Sequence, residues 1–450
     1  MCCSRRQFLK ITGAAASVAM LLRCTSPVRK PNFIILFADD MGYGDAGCYG
    51  HPYIKTPNLD RMASEGARLT SFYASSPVCS PSRAALLTGR HPLRCGVPQV
   101  LGPESEGGLP ESEITLADVL KNKGYRTACI GKWHIGHARE ELMPTSRGFD
   151  HYFGLLYSND MIKPWVQTDK PLALFENLDP VEHPVDQRTL TKRYTERAID
   201  FIRANKNEPF FLYLPYTMPH LPLFTAEVFL NSRAGLYGAV IEEIDWSVGE
   251  ILKTVKGLGL DDNTLVVFTS DNGPWNNMPS RMLAEGIERW HAGTPGLLRG
   301  SKGTTYEGGM RVPGVFRWPR TIPAGQVNVE LASTMDLFPT LVHAAGGRMP
   351  DDRVYDGADI LPMLKGESPP LFRRLFYHRG ERVEAVREGA WKYRLSNDGN
   401  PNIKAMPELY NLELDWSERY NVAADHPDVV TKLDAMLRAF AEEVGGEVER

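Results

Sequence analysis

Two apolar segments, each followed directly by a pair of oxygen-bearing side chains, constrain the fold most strongly. Residues 33–38, FIILFA, precede Asp39 and Asp40, and the run TLVVFTS precedes Asp271 and Asn272. Continuous apolar runs of this length are typical of strands buried on both faces of a parallel sheet. Because sites in open α/β sheets form at the carboxyl ends of such strands, the two polar pairs are predicted to converge there.

The rest of the chain alternates between helical and strand patterns. The stretches TLADVLKNKGY, RYTERAIDFIRAN and YGAVIEEIDWSVGEILKTV have helical periodicity, and FFLYLPY is typical of another buried strand. This alternation predicts an α/β fold with a large mixed, mainly parallel sheet sandwiched by helices. From about residue 370 onward, short strand patterns and one closing helix predict a smaller C-terminal antiparallel-sheet subdomain.

The first residues have the pattern of an export signal. The motif SRRQFLK precedes the apolar run ITGAAASVAMLL, which resembles a twin-arginine signal. The run is too short to span a bilayer, so no transmembrane segment is expected in the mature chain; an amphipathic or buried N-terminal helix is the alternative. Cys24 indicates a lipid anchor, although Arg23 is an unusual neighbour for that processing. We therefore predict an exported protein, periplasmic, anchored on the outer surface or secreted, with a signal at 1–27, a main domain at 31–369 and the subdomain at 370–450.

Charge and cysteine content narrow the classes of partner and site. The formal net charge of the 450 residues is −4, and no basic stripe is present, so no nucleic acid is expected as a partner. Of the seven cysteines, three lie in or beside the signal. The other four, Cys48, Cys79, Cys95 and Cys129, have neither the spacing of a metal site nor an evident disulfide pattern.

The two polar pairs point to a metal ion. Asp39, Asp40, Asp271 and Asn272 offer oxygen ligands without histidine or cysteine, a set that favours Ca²⁺ or Mg²⁺ over zinc. For either pair alone, a helix cap or a turn is the better interpretation. The identical placement of both pairs favours a metal site.

Cys79, ahead of an apolar helical run, has three interpretations. It could be a small buried residue, as free cysteines often are. It could be a thiolate at a helix N-terminus, assisted by Arg83, but a phosphatase-type loop would place its arginine where this chain has Ala85. The third interpretation depends on the longer motif around it.

That longer motif, CSPSR followed by LLTGR, resembles the signature of type I sulfatases. In that family the cysteine is oxidised to formylglycine, an aldehyde, and the modifying enzyme recognises the proline and the arginine. Further blocks resemble the family in the same order and span most of the mature chain: PNFIILFADDMGYGDAGCYGHP, TPNLDRMASEGARLTSFY, GYRTACIGKWHIG, FFLYLPYTMPHLP, TSDNGP, LLRGSKGTTYEGGMRVPG, MDLFPTL and LYNLELD. The segments GGLP, YSND and LLRGSKGTTYEGG are particularly similar to the arylsulfatase A and N-acetylgalactosamine-6-sulfatase branch.

The resemblance implies an alkaline-phosphatase-like fold, hydrolysis of sulfate esters and a role for each site residue. One divalent cation, Ca²⁺ or alternatively Mg²⁺, would be bound by Asp39, Asp40, Asp271, Asn272 and residue 79. As the hydrated aldehyde, residue 79 would also be the nucleophile, and Arg83 would hold the hydrate. The sulfate would be surrounded by Lys132, Ser158, Lys302, His134 and His220.

In the implied mechanism, one hydroxyl of the hydrate attacks sulfur and His220 protonates the leaving alkoxide. His134 then takes a proton from the second hydroxyl, which expels sulfate and regenerates the aldehyde. Taken singly, lysines such as Lys132 or Lys302 are usually solvated surface charges, and histidines are often structural. Their positions inside the matching blocks favour catalysis.

Two other functions stay open, and the substrate is not encoded in a motif. A phosphonate monoester or phosphodiester hydrolase would use the same scaffold and aldehyde, and a non-catalytic sulfoglycan-binding protein would keep Cys79 as a thiol. We expect a sulfated carbohydrate or another sulfate ester as substrate and a formylglycine-generating enzyme as the maturation partner. The segments 158–177 and 273–296 are predicted to face the substrate, and four aromatic residues could stack on a sugar or simply pack: Trp165, Trp275, Trp290 and Tyr306.

Overall fold

In a computed structural model of this chain, residues 29–367, 373–400 and 402–449 are described. The predicted export signal at 1–27, with Cys24, and the predicted boundary between residues 369 and 370 lie outside these ranges, so both stay predictions. Within the described ranges, no helix is long and apolar enough to cross a membrane.

Strands and helices alternate along the first three quarters of the chain. The strands are β1 Asn32–Ala38, β2 Ala67–Leu69, β3 Phe72–Tyr73, β4 Arg126–Ile130, β5 His151–Leu155, β6 Leu174–Glu176, β7 Asp179–Glu182, β8 Phe210–Pro215, β9 Thr264–Ser270, β10 Gly314–Arg317, β11 Gln326–Asn328, β12 Ala332–Ser333, β13 Arg374–Arg379, β14 Arg382–Glu388, β15 Trp391–Ser396 and β16 Met406–Asn411. The α-helices are α1 Pro57–Ser64, α2 Cys79–Thr88, α3 Leu116–Asn122, α4 Leu190–Ala204, α5 Gly235–Gly257, α6 Glu307–Met310, α7 Leu337–Ala344, α8 Leu361–Leu364 and α9 Pro427–Val444.

One large sheet forms the centre of the main domain, in the order β11-β2-β10-β9-β1-β8-β4-β5-β6-β7. Its central strands β9, β1, β8, β4 and β5 pair in parallel, whereas β10 and β6 join the group antiparallel. Every residue of β1, β8 and β9 is buried, which explains why these strands are apolar without alternation. The mixed, mainly parallel sheet that the sequence predicts is confirmed.

Helix α4 shows how the sheet is covered. Its buried residues include Leu190, Tyr194, Ala198 and Ile202, which lie four residues apart and therefore share one face of the helix. That apolar face packs on β4, β5 and β8, and α4 also contacts α5. The helical periodicity of this segment thus follows from its place on the sheet.

The C-terminal part is a separate four-stranded antiparallel sheet in the order β13-β14-β15-β16. Helix α9 contacts β14 and β15 and buries Leu433, Leu437, Phe440 and Ala441 in a core shared with Val383, Val386 and Tyr393. The predicted C-terminal sheet with its closing helix is confirmed.

Candidate active site

The two polar pairs that follow β1 and β9 meet at one edge of the sheet. These strands pair in parallel with Ala38 opposite Ser270, so the residues after them are neighbours. The backbone N–H of Asp40 donates to Asp271 Oδ1 (3.0 Å), and Asn272 Nδ2 donates to Asp40 Oδ1 (2.7 Å). All four predicted oxygen ligands are buried: Asp39, Asp40, Asp271 and Asn272.

Two residues of this region have left-handed backbone conformations that side chains rarely adopt. Asp40 has a φ of 66° and His134 a φ of 61°. Such a conformation costs on the order of 1–3 kcal/mol in a residue with a Cβ, and it persists where the surrounding contacts impose it. Non-glycine residues held in this way cluster at functional sites, which agrees with the position of both residues beside the polar pairs.

Cys79 is the first residue of α2, and Val78 caps the helix in an extended conformation. Its Sγ lies 3.6 Å from Asp39 Oδ1 and 3.5 Å from Lys302 Nζ. Burial raises the pKa of the Cys79 thiol, although Lys132 and Lys302 act in the opposite direction. The thiol is therefore protonated near neutral pH, which argues against the interpretation of Cys79 as a thiolate nucleophile.

Arg83 lies one turn after Cys79 on α2 and is fully buried. Its Nη2 is 2.8 Å from Asp271 Oδ2 and 3.2 Å from Asp39 Oδ1, and its Nη1 donates to the backbone oxygen of Lys132 (3.1 Å). Burial disfavours the guanidinium charge, but Asp39 and Asp271 outweigh it and raise the pKa of Arg83. The arginine therefore links the helix to both polar pairs as a permanent cation.

Two lysines lie against the same carboxylates. Lys132 Nζ is 2.6 Å from Asp39 Oδ2 and 3.1 Å from Ser158 Oγ, and Lys302 Nζ is 2.8 Å from Asp40 Oδ2. Burial opposes ionisation of Asp39, but Lys132 and Arg83 together lower the pKa of Asp39 well below its usual range. Both ammonium groups therefore border the same small space as Cys79. This is the arrangement that the sequence predicts for two lysines that bind one anion.

His220 faces this volume with one ring nitrogen. Its Nδ1 lies 2.6 Å from the backbone oxygen of Leu221, which can only accept, so Nδ1 carries the hydrogen and Nε2 is the basic nitrogen. That Nε2 is 3.6 Å from Asp40 Oδ2, and both ring nitrogens are 3.5 Å from Ser158 Oγ. Burial first, then Lys302 and Lys132, lower the pKa of His220 well below its usual range.

His134 has the opposite tautomer. Its Nε2 lies 2.8 Å from the backbone oxygen of Leu101, and its buried Nδ1 has no hydrogen-bond partner among the described residues. Burial first, then the charges of Lys132 and Arg83, lower the pKa of His134. The side chain is therefore a neutral base with a free lone pair. Leu101 is a site residue that the sequence does not reveal, because it acts through a carbonyl that every residue has.

A buried cluster of two carboxylates, a thiol and an imidazole could hold a metal ion. Ligand atoms of Asp39, Asp40, Cys79 and His220 all lie within 4.8 Å of one another, and Asn272 Oδ1 is buried without a hydrogen-bond partner among the described residues. An unpaired buried amide oxygen is costly unless a ligand binds it. Carboxylate and amide oxygens are the ligands that Ca²⁺ and Mg²⁺ prefer. Asp39 and Asp40 belong to this cluster, whereas Asp271, whose oxygens accept from the N–H of Asp40 and from Arg83, is not one of its four members. The metal site of Asp39, Asp40, Asp271 and Asn272 therefore stays a prediction.

The four aromatic residues of the sequence prediction have different surroundings. Trp165 is buried, and Tyr306 is enclosed by the guanidinium groups of Arg299 and Arg394, 4.0 and 3.8 Å from its ring centre. Trp290 is 74% exposed. Among the described residues, Trp275 is the one of the four that contacts the predicted site: its ring centre is 4.5 Å from Lys302 Nζ and 5.5 Å from the centre of the His220 ring. Tyr306 and Trp165 therefore pack, while Trp275 borders the site.

Comparison with known proteins gives one consistent family. The sulfatase family model matches residues 31–347, and a model for the C-terminal region of N-sulphoglucosamine sulphohydrolase matches residues 301–443. N-acetylgalactosamine-6-sulfatase of Mus musculus is 41% identical in an alignment of 420 positions that covers 88% of this chain and 76% of that protein. Arylsulfatase A of Homo sapiens is 39% identical in an alignment of 469 positions that covers 94% of this chain and 90% of that protein.

A solved structure gives the same result at the level of the fold. It is a Bacteroides thetaiotaomicron protein, from work on the metabolism of multiple glycosaminoglycans, and is 30% identical to this chain with a TM-score of 0.82. The match covers 92% of this chain and all of that one (100%). Similarity over most of the chain therefore holds for sequence and for architecture.

Proposed function

This chain belongs to the sulfatase family and is a sulfatase, an enzyme that hydrolyses sulfate esters of sugars or aryl alcohols, and we propose that it does so through a formylglycine made from Cys79. The observation that carries the proposal is the position of Cys79. Its sulfur lies between Asp39 and Lys302, and burial keeps the thiol protonated. A thiol in that state is a poor nucleophile, so the position calls for another reactive group.

The aldehyde suits this position. Its hydrate would offer one hydroxyl for attack on sulfur and a second whose deprotonation expels sulfate by cleavage of the carbon–oxygen bond. The positive N-terminal end of the ten-residue helix α2 favours negative charge on an oxygen at residue 79. Arg83, one turn further on, is held by Asp39 and Asp271 and adds a fixed positive charge beside that oxygen.

We propose that the carboxylates and Asn272 bind one divalent cation, Ca²⁺ first and Mg²⁺ as the alternative. Bound there, the ion would act as a Lewis acid that lowers the pKa of a hydroxyl on residue 79. The ligands would be Asp39, Asp40, Asp271, Asn272 and the modified residue 79. The unpaired Oδ1 of Asn272 supports this set, since the ion would satisfy it.

The remaining side chains bind the sulfate and move protons. Lys132, Ser158 and Lys302 form the sulfate-binding group: Lys132 Nζ donates to Asp39 Oδ2 and to Ser158 Oγ, and Lys302 Nζ lies 3.5 Å from Cys79 Sγ. His220 presents Nε2 to the same space. Once this nitrogen has taken up a proton, the imidazolium would protonate the leaving oxygen. His134, whose Nδ1 is free, would accept the proton in the step that releases sulfate.

The substrate class and the location follow from the relatives and the sequence. Relatives named for N-acetylgalactosamine 6-sulfate support a sulfated glycan as substrate. The twin-arginine pattern at 1–27 supports action outside the cytoplasm, with a lipid anchor at Cys24 as an alternative to release. A formylglycine-generating enzyme would have to act on Cys79 before that helix is buried.

The decisive experiment weighs one peptide. The chain is expressed with and without a formylglycine-generating enzyme, digested with trypsin, and the peptide 69–83 is measured by mass spectrometry. Conversion of the thiol to the aldehyde lowers its mass by about 18 Da. Activity towards 4-nitrophenyl sulfate should rise in proportion to that fraction. Activity that is independent of the fraction converted would contradict the proposal.

A second assay separates the two reactions that one scaffold supports. Fully converted enzyme is given 4-nitrophenyl sulfate and 4-nitrophenyl phenylphosphonate under the same conditions. We expect a higher kcat/KM for the sulfate, because the sulfatase family model matches residues 31–347, which include the segments that carry Lys132 and Lys302. Preference for the phosphonate would assign the chain to the alternative activity.

A further inference from the structure

The two segments predicted to face the substrate meet beside the active site. Asp160 and Trp165 come from the segment 158–177, and Trp275 and Arg281 come from the segment 273–296. Arg281 Nη1 donates to the backbone oxygen of Trp165 (2.8 Å) and lies 3.6 Å from Asp160 Oδ2. Side chains of both segments therefore form one wall.

The middle of this wall is Trp275. Two of its neighbours belong to the predicted active site: Lys302 Nζ lies 4.5 Å from the centre of the ring, and the centre of the His220 ring is 5.5 Å away. A third neighbour is Arg281, whose guanidinium carbon lies 5.7 Å from the same ring centre. The Trp275 ring thus contacts a cation of the sulfate site and a second cation, Arg281.

Arg281 keeps part of its guanidinium for a ligand. Its contacts to Trp165, Met282 and Asp160 all use Nη1, and Nε and Nη2 have no acceptor among the described residues. The side chain is 44% exposed, while the Asp160 side chain is 6% exposed. Asp160 Oδ2 lies 3.6 Å from Arg281 Nη1 and helps to position the arginine. The edge of the guanidinium formed by Nε and Nη2 has no carboxylate partner among the described residues.

We propose that Arg281 binds a second anionic group of the substrate, a carboxylate or a further sulfate carried on the leaving alcohol. This inference rests on the proposed sulfatase function. A guanidinium edge with two parallel N–H donors matches the geometry of either anion, whereas a lysine would match it less well. Trp275 keeps the two anion-binding positions near each other, because its ring contacts both Lys302 and Arg281. Arg281 thus favours substrates with two anions over those with one.

The test compares two chromogenic substrates that differ only in a carboxylate. Formylglycine-containing enzyme is assayed with 4-nitrophenyl sulfate and with 3-carboxy-4-nitrophenyl sulfate. The variants are Arg281→Gln, Arg281→Lys and, as a matched control, Arg289→Gln, which removes an equally charged and exposed residue of the same segment. Thermal unfolding of each variant is measured alongside.

We expect the wild type to prefer the carboxylated substrate by about 10-fold in kcat/KM, the size of one charge-assisted contact. Arg281→Gln should abolish that preference through KM and leave 4-nitrophenyl sulfate unchanged, Arg281→Lys should keep part of it, and Arg289→Gln should keep all of it. Equal activity of the wild type on both substrates would overturn the proposal. An equal loss of kcat/KM for both substrates in Arg281→Gln would also overturn it, because Arg281 would then only stabilise the contact between the two loops. If fully converted wild type hydrolyses neither substrate, the proposed function itself is wrong, and the role of Arg281 falls with it.

Discussion

Two clusters of buried charges lie close together in this enzyme. They differ in whether buried polar atoms within or beside them are left for a ligand. The active-site cluster consists of Asp39, Asp40, Asp271, Arg83, Lys132 and Lys302. The junction cluster, where α6 meets the C-terminal sheet, consists of Glu307, Glu418, Lys392, Arg311 and Arg387. Both are shielded from water, so each charge in them needs a partner.

The junction cluster closes on itself. Lys392 Nζ lies 3.0 Å from Glu307 Oε1 and 2.8 Å from Glu418 Oε1, and Arg311 is 2.6 Å from Glu307 Oε2. The other oxygen of Glu418 accepts the backbone N–H of Glu307 (2.7 Å). Each carboxylate oxygen therefore lies against a cation or a backbone N–H, although Glu418 Oε1 meets Lys392 as an ion pair without hydrogen-bond geometry. The cluster binds the segment that carries Lys302 to the C-terminal sheet.

The active-site cluster has polar atoms to spare. Asn272 Oδ1 and His134 Nδ1 are buried beside it without partners among the described residues. Its three carboxylates are matched by three cations, so a divalent metal ion would give the site a positive charge that attracts a sulfate ester. The difference teaches that the closed cluster pairs its charges across the junction of two parts of the fold, whereas the open cluster keeps neutral buried acceptors that a ligand can use.

Replacement of the residue at the centre of the open cluster should have the largest effect. We expect Cys79→Ala to lower kcat/KM for 4-nitrophenyl sulfate by about 10⁴-fold or more, as removal of a catalytic nucleophile does in other hydrolases. Its melting temperature should change little, because the sulfur makes only long contacts. Steady-state kinetics and thermal unfolding measure the two effects.

The matched control for this variant is Cys129→Ala, which removes a fully buried thiol from β4. It should cost stability by the loss of packing and leave kcat/KM near the wild-type value. Equal activity of Cys79→Ala and Cys129→Ala would mean that the open cluster has another nucleophile.

Removal of the central cation of the closed cluster should act on the fold. In Lys392→Met, Glu418 loses the partner of Oε1 while it stays buried, and we expect a loss of about 3–5 kcal/mol in the free energy of unfolding. The double variant Lys392→Met/Glu418→Gln should recover most of it, because the stranded charge is gone. Urea unfolding measures both.

Lys132→Met is the comparison for Lys392→Met, since both lysines are fully buried. With calcium present we expect Lys132→Met to lower activity far more than stability. If the two lysine variants lose stability and activity in the same proportion, the distinction between the open and the closed cluster is wrong.

The sequence predicts the open cluster much better than the closed one. Asp39, Asp40, Asp271 and Asn272 follow apolar strands, and parallel pairing of such strands brings their ends together, so local patterns suffice. Lys302 bonds to Asp40 across 262 residues of sequence, and no local pattern marks it. Only the resemblance to a family brought Lys302 and His220 into the predicted site.

The closed cluster has no local signal at all. Lys392 lies in a short strand and Glu418 in a loop, where charged residues are normally solvated. Their burial depends on the docking of α6 against β15, a contact between segments that no periodicity connects. The alternation of strand and helix patterns predicts the fold class, whereas no pattern predicts how the C-terminal sheet packs against α6.

Metal binding should produce the smallest of the three effects and tests directly whether the open cluster is open to a cation. Metal-free enzyme, prepared with a chelator, should unfold at a higher temperature when Ca²⁺ is added, with a gain of about 2.7 kcal/mol at a concentration 100 times the dissociation constant. Asn272→Ala should reduce this gain, because it removes a buried oxygen that has no partner within the described residues. Asn32→Ala is the matched control, because Asn32 is an equally buried amide at the opposite end of β1. Its Nδ2 donates to Thr264 Oγ1 (3.1 Å). Loss of this side chain should lower the stability of the metal-free enzyme but keep the calcium-dependent gain. An identical gain in both variants would mean that Asn272 does not bind the calcium ion, and a larger gain with Mg²⁺ than with Ca²⁺ would favour the alternative ion.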